Sequence, residues 1–215
     1  THIVNSVPPG QESVSGLDPV LSHFADIISQ LPMLRWLGYL STTGVYGNTD
    51  GAWVDEMSPL LPSAPRSAKR VEVERAWDNF AGAHNLPFHI FRLAGIYGPG
   101  RNVLNAASAG RAPRIVKTGH QFSRIHVEDI ATILEASMQK PNPGAIYNVC
   151  DDEPAAAADV NSYAYKLLGV HPSPEVVFEE AEASMSDMAR SFWKDNRRVH
   201  NDKIKNELKV RLTYP

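Results

Sequence analysis

Cys150 is the only cysteine in this chain, so no internal disulfide can form and a disulfide-built scaffold is excluded. It lies in the apolar run 145–150 and is expected to be a reduced core residue of a cytoplasmic protein. No stretch approaches the roughly 18 to 20 uninterrupted apolar residues of a membrane span, so no membrane partner is expected. A basic excess is missing too: 21 Lys and Arg stand against 24 Asp and Glu, for a formal net charge of -3. That leaves no positive field to drive nucleic-acid binding. His120, His126, Glu128 and Asp129 fall close together, but not at a spacing that puts two ligands on one helix face, and no metal is expected. Ser41, Thr42 and Thr43 are not set in a G-x-S-x-G elbow, which removes the hydrolase reading.

What is present has the alternation of an α/β protein. The residues are 43% hydrophobic, enough for one sizeable core or for a domain plus a lobe. The segment His2-Ile3-Val4-Asn5-Ser6-Val7-Pro8-Pro9-Gly10 reads as an apolar strand followed by a turn. From Asp18, a plausible N-cap, Val20, Leu21, Phe24, Ile27, Ile28 and Leu31 recur at helical spacing until Pro32. The run 36–41 reads as a strand buried on both faces, 66–84 as a helix with Val73, Ala76, Trp77 and Phe80 inward, and 87–93 as the next strand. This βαβαβ order predicts a Rossmann-like doubly wound parallel sheet. Further on, the pattern predicts a short helix over 103–109, an extended piece through Ile115 and Val116, and a helix carrying Ile130, Ile133, Leu134 and Met138. A strand over 145–150 follows, then helices near 156–168, 179–192 and 201–208. The loop 48–63, with Pro59 and Pro62, is long enough to be a lid that brings Trp53, Asp55 and Glu56 to a ligand; packing over its own tryptophan is the favoured expectation.

Three segments carry more. They are Tyr39-Leu40-Ser41-Thr42-Thr43-Gly44-Val45-Tyr46-Gly47, then Arg92-Leu93-Ala94-Gly95-Ile96-Tyr97-Gly98-Pro99-Gly100-Arg101-Asn102, then Arg124-Ile125-His126-Val127-Glu128-Asp129-Ile130. In that order they resemble the extended short-chain dehydrogenase/reductase family, the NAD-dependent epimerases and dehydratases. The resemblance implies a partial dinucleotide-binding domain over 1–95 and a smaller substrate lobe over 96–215 that interleaves with the last sheet strands. It makes the first strand here the fourth of the family's sheet, so the chain is expected to be an N-terminally truncated member. No G-x-x-G-x-x-G occurs in it, although that loop is what lets backbone approach a pyrophosphate.

The same resemblance assigns a cofactor, NAD or NADP in the full-length protein, with Ser6, Val7, Pro8, Arg70, Ala94 and Ile96 on its binding side. It makes Thr42, four residues before Tyr46, the catalytic hydroxyl, and it implies a small-molecule substrate and allows a homodimer. Asp129 is expected to cap or orient its segment. Arg66, Arg101 and Arg124 are expected to bind an anionic substrate, since a guanidinium is bidentate and always charged; ion pairing with nearby acids is the alternative for Arg92, Arg101, Arg124 and the pair Arg197 and Arg198.

One departure bears on chemistry. The family places Tyr-x-x-x-Lys on the helix after Thr42, with a glutamate four residues beyond the lysine. Anchored on Glu74, those positions hold Arg66 and Arg70. The family's tyrosine exchanges a proton, which arginine cannot do at any workable pH. The expected function is therefore an atypical NAD(P)-dependent oxidoreductase acting on an anionic, sugar-nucleotide-like substrate. A non-catalytic protein of the same fold that binds or senses a dinucleotide or metabolite is the alternative, and for Arg66 and Arg70 a solvated helix face is an equal expectation.

Overall fold

The protein is represented by a computed structural model that describes residues 1–10 and 17–215. Its centre is a four-stranded parallel sheet of β1 (His2–Asn5), β2 (Trp36–Thr42), β4 (Phe88–Leu93) and β8 (Ile146–Val149), in that spatial order. Register runs Ile3 to Leu37, Tyr39 to Ile90 and Phe91 to Tyr147. The helices between these strands are α1 (Pro19–Ser29), α2 (Pro65–His84) and α4 (Val127–Gln139). The Rossmann-like parallel architecture read from the sequence is the one observed.

Alternation along the strands sends side chains into two cores. Leu37, Tyr39, Phe88 and Ile90 pack with Ile28 of α1 and with Val73, Trp77 and Ala81 of α2. Trp36, Phe91, Leu93, Tyr147 and Val149 pack on the other face with Ile130 and Ile133 of α4. Gly38 has a steric reason: a Cβ there would lie 2.1 Å from the Trp36 ring. That indole is held in place by its Nε1–H, which donates to Ser137 Oγ at 3.0 Å. The helix starts follow the caps; Asp18 accepts the Leu21 N–H at 2.8 Å ahead of α1, with Pro19 in its first turn.

Short pairings surround this frame. β3 (Trp53–Val54) pairs with β10 (Arg198–Val199), β5 (Gly95–Tyr97) with β7 (Arg124–His126), and β6 (Arg114–Val116) with β9 (Glu175–Val177). The helices α3 (Val103–Ser108) and α5 (Ala157–Leu168) share a small core of Ala107, Ala112, Ala164 and Tyr165. The segment expected as one helix over 179–192 is two, α6 (Phe178–Glu182) and α7 (Asp187–Lys194), because Ser186 caps the second by accepting the Ala189 N–H. The helix α8 (Asp202–Asn206) closes the order. The loop over 48–63 packs on the body: Trp53 stacks on His200 with centroids 4.5 Å apart, and Glu56 accepts the Asn148 N–H at 2.8 Å. Among the described residues no helix is long and apolar enough to cross a membrane.

Candidate functional site

A cavity of about 960 Å³ opens where β2 and β4 end, beside the start of α2. Carboxyl ends of parallel strands are where open α/β sheets place their ligands. At this edge β2 gives way to a 3₁₀ turn, Thr43–Tyr46, closed by Gly47 at φ +70°. A Cβ on Gly47 would lie 1.8 Å from the Leu61 carbonyl oxygen, so only glycine fits.

Strand alternation divides the hydroxyls. Ser41 turns inward and donates to Glu74 Oε1 at 2.5 Å, whereas Thr42 lines the cavity. Thr42 Oγ1 also accepts the Gly44 N–H at 3.1 Å, capping the turn. Tyr46, the tyrosine of the same segment, is fully buried beneath the turn. Its hydroxyl donates to Asn148 Oδ1 at 2.7 Å and accepts from Arg92 Nη1 at 2.9 Å. Burial pushes its pKa up to about 12, so it is a structural phenol. Arg92, in turn, donates through Nε and Nη2 to Glu74. It is a buried ion-pair partner, as the sequence allowed, and not a cleft cation.

The helix α2 brings Arg66 and Arg70 to the cavity wall, one turn apart. Arg70 Nη1 donates to Tyr39 Oη at 2.7 Å and to the Leu40 carbonyl at 3.0 Å. Arg66 lays its guanidinium over the Phe192 ring, 4.2 Å from the centroid. Arg124 enters from β7 and is held by the Phe122 and Ala155 carbonyls at 2.9 and 3.2 Å. Burial draws its pKa down, partly offset by Asp151. Burial likewise pushes the Asp151 carboxyl up to about 6 against the pull of Arg124, and its Oδ1 is buried with no partner among the described residues. Arg197, which donates to the Gly47 carbonyl and to Asp195, completes the wall with Asp195 itself.

The cavity therefore gathers Thr42, Arg66, Arg70, Arg124, Ala94 and Ile96, all expected from the sequence, with Pro8 at its margin. Ser6 and Val7 are exposed and outside its lining; the Val7 N–H donates to Asn5 Oδ1. Arg101 is exposed in the turn it forms with Gly98, through paired backbone bonds of 3.0 and 3.1 Å, and it is not part of the wall. Asp129 is fully buried and accepts the N–H groups of Thr213 and Tyr214, while His126 stacks on Tyr214 at 3.6 Å. Sequence reasoning missed α7, whose Met188, Phe192 and Trp193 edge the cavity; the Ser186-Asp187 start was the available signal. It also missed Tyr97, a cavity phenol whose pKa burial raises.

The residues present fit one end of a dinucleotide. Thr42 and Arg70 line the cavity at the strand ends, where a ribose and nicotinamide would lie, and the two hydrogen bonds of Arg70 both use Nη1. For the pyrophosphate this chain offers no glycine loop.

The parallel sheet with its cleft at the strand ends defines a Rossmann-like α/β protein, and residues 28–150 match the NAD dependent epimerase/dehydratase family. The chain belongs to that family. Protein YeeZ of Escherichia coli (strain K12) is 32% identical over 137 residues, 62% of this chain and 46% of that protein. The trifunctional UDP-glucose 4,6-dehydratase/UDP-4-keto-6-deoxy-D-glucose 3,5-epimerase/UDP-4-keto-L-rhamnose-reductase RHM2 of Arabidopsis thaliana is 29% identical over 158 residues, 68% of this chain and 24% of that one. The chain thus spans less than half the length of these curated relatives. Among solved structures, a functionally unknown conserved protein from Silicibacter pomeroyi DSS has a TM-score of 0.92 at 53% identity, covering 100% of this chain and 73% of its own. The dTDP-glucose 4,6-dehydratase of Bacillus anthracis str. Ames, in complex with NAD, has a TM-score of 0.77 at 20% identity over 99% of this chain and 68% of its own, a likeness of fold.

Proposed function

We propose that this chain supplies the substrate side of an atypical NAD(P)-dependent epimerase/dehydratase-like oxidoreductase that acts on an anionic, sugar-nucleotide-like small molecule. The observation that carries this is the cavity wall, where Thr42 stands among Arg66, Arg70, Arg124 and Arg197 against Asp195, an acid already paired with Arg197. Positive charge gathered in a cleft with low-dielectric walls raises the local concentration of an anion, and guanidinium forks read phosphate and carboxylate oxygens bidentately.

A bound nicotinamide ring supplies hydride transfer. Around it, Thr42 orients a substrate hydroxyl or carbonyl by hydrogen bonding, Arg70 holds ribose oxygens, and Arg66 and Arg124 hold the substrate's negative charge. Position 66 holds an arginine where the family has its proton-exchanging tyrosine. That observation favours a second function, a protein of the same fold that binds or senses a dinucleotide or metabolite without turning it over. Titration calorimetry of the chain with UDP-glucose tests the shared part: micromolar or millimolar binding that weakens with salt is expected, and no binding overturns it. Incubation of the full-length protein with NAD or NADP and the same nucleotide, followed by product analysis, separates enzyme from sensor.

A further inference from the structure

Four arginines line the cavity, and three of them direct donors to the protein itself. Arg70 bonds Tyr39 and the Leu40 carbonyl, Arg124 bonds two carbonyls, and Arg197 bonds the Gly47 carbonyl and Asp195. Arg66 is exposed, as the solvated-face reading allowed, and makes no hydrogen bond and no ion pair with any described residue; its guanidinium carbon lies 4.2 Å from the centroid of the Phe192 ring. Stacking on a ring face uses the flat side of the guanidinium and restricts its rotation, yet it leaves the in-plane N–H edge open. The fork is therefore partly ordered and unused. Arg70, one helical turn along the same face, ties α2 to the end of β2, the strand that terminates in Thr42. The residue after Arg66, Ser67, has its Oγ 2.8 Å from where a Cβ on Gly44 would lie, so Arg66 joins the cavity wall beside the turn that Thr42 caps.

We propose that Arg66 is a specificity residue that reads a carboxylate carried on the reacting end of the substrate. This rests on the sugar-nucleotide function proposed above and narrows it to acidic sugars. A carboxylate is planar and singly charged, and its two oxygens match one guanidinium edge. Phosphate oxygens, tetrahedral and more highly charged, are met by Arg124 and Arg197.

The test compares UDP-glucuronate with UDP-glucose, which differ by that carboxylate, in titration calorimetry on the 215-residue chain. UDP-glucuronate is expected to bind about tenfold tighter or more. Arg66→Gln should abolish the difference, while Phe192→Ala, which frees the guanidinium to rotate, should reduce the preference about threefold or more. Equal affinity of the wild-type chain for the two nucleotides overturns the inference and leaves the proposed function standing, as does a preference that survives in Arg66→Gln. Failure of both nucleotides to bind overturns the proposed function and the inference with it.

Discussion

The Thr42 hydroxyl accepts the Gly44 N–H, which leaves its own hydrogen and one lone pair for a ligand. Thr42→Val removes that donor and the cap together. It is expected to weaken UDP-glucuronate binding by about 1 to 3 kcal/mol, the cost of an unpaired polar partner, and stability by about 1 kcal/mol. Thr42→Ser should keep both, and calorimetry with chemical denaturation checks the pair. Thr42 was legible because alternation along a strand chooses one hydroxyl of three. Arg92 and Tyr46 were not: motif spacing gives a residue's place along the chain, whereas their partners Glu74 and Asn148 come from other elements. His120 carries a different expectation. It is buried, both ring nitrogens lack partners among the described residues, and burial, with the Lys117 charge, holds its pKa down to about 4. A base depressed on folding contributes stability present above its unfolded pKa, about 6.5, and lost as pH falls toward 4. Asp151, raised to about 6 by burial, has the opposite sign: its contribution is full below about pH 4 and lost as pH rises past 6. His120→Leu should therefore flatten the loss of melting temperature between about pH 6.5 and 4.5 relative to wild type.

Between elements, α2 is fastened to β2 through three consecutive strand residues. Tyr39 and the Leu40 carbonyl bind Arg70, and Ser41 binds Glu74. The Glu74–Arg92 pair is almost fully buried, at 3% and 2% exposure, so removing one partner strands a charge. Glu74→Gln is expected to cost about 3 to 5 kcal/mol in urea or guanidinium unfolding, and an unchanged midpoint would show the charge is relieved elsewhere. Gly47→Ala should be comparably damaging, because both the positive φ and the Leu61 carbonyl forbid a side chain. The long elements were readable in sequence because apolar periodicity and caps agree: α1, α2 and the strands β2, β4 and β8 fall within about two residues of expectation, and α4 holds the apolar residues expected of it. The pairs β3 with β10, β5 with β7 and β6 with β9 were not. Their strands are two or three residues long, too short to show any period, and their pairing is set by tertiary packing.

For the whole molecule, the cleft gathers its arginines at the strand ends, and the sequence carries no glycine-rich pyrophosphate loop. Calorimetry of the 215-residue chain with NAD and with NADP should show no micromolar binding; such binding would mean that the wall formed by Pro8, Thr42 and Arg70 suffices by itself. The cleft's two sides also differ in how they are tied down. The floor is strand and helix stitched by buried polar bonds, whereas α7 at the rim has no fully buried residue, with Met188 at 66% and Phe192 at 54% exposure. In amide hydrogen exchange, protons of β2 and α2 should therefore be released together, only when the sheet itself opens. Those of α7 should exchange orders of magnitude sooner, in brief local excursions that leave the arginine wall in place. Ligand can then enter and leave past α7 without any cost to the stability of the sheet.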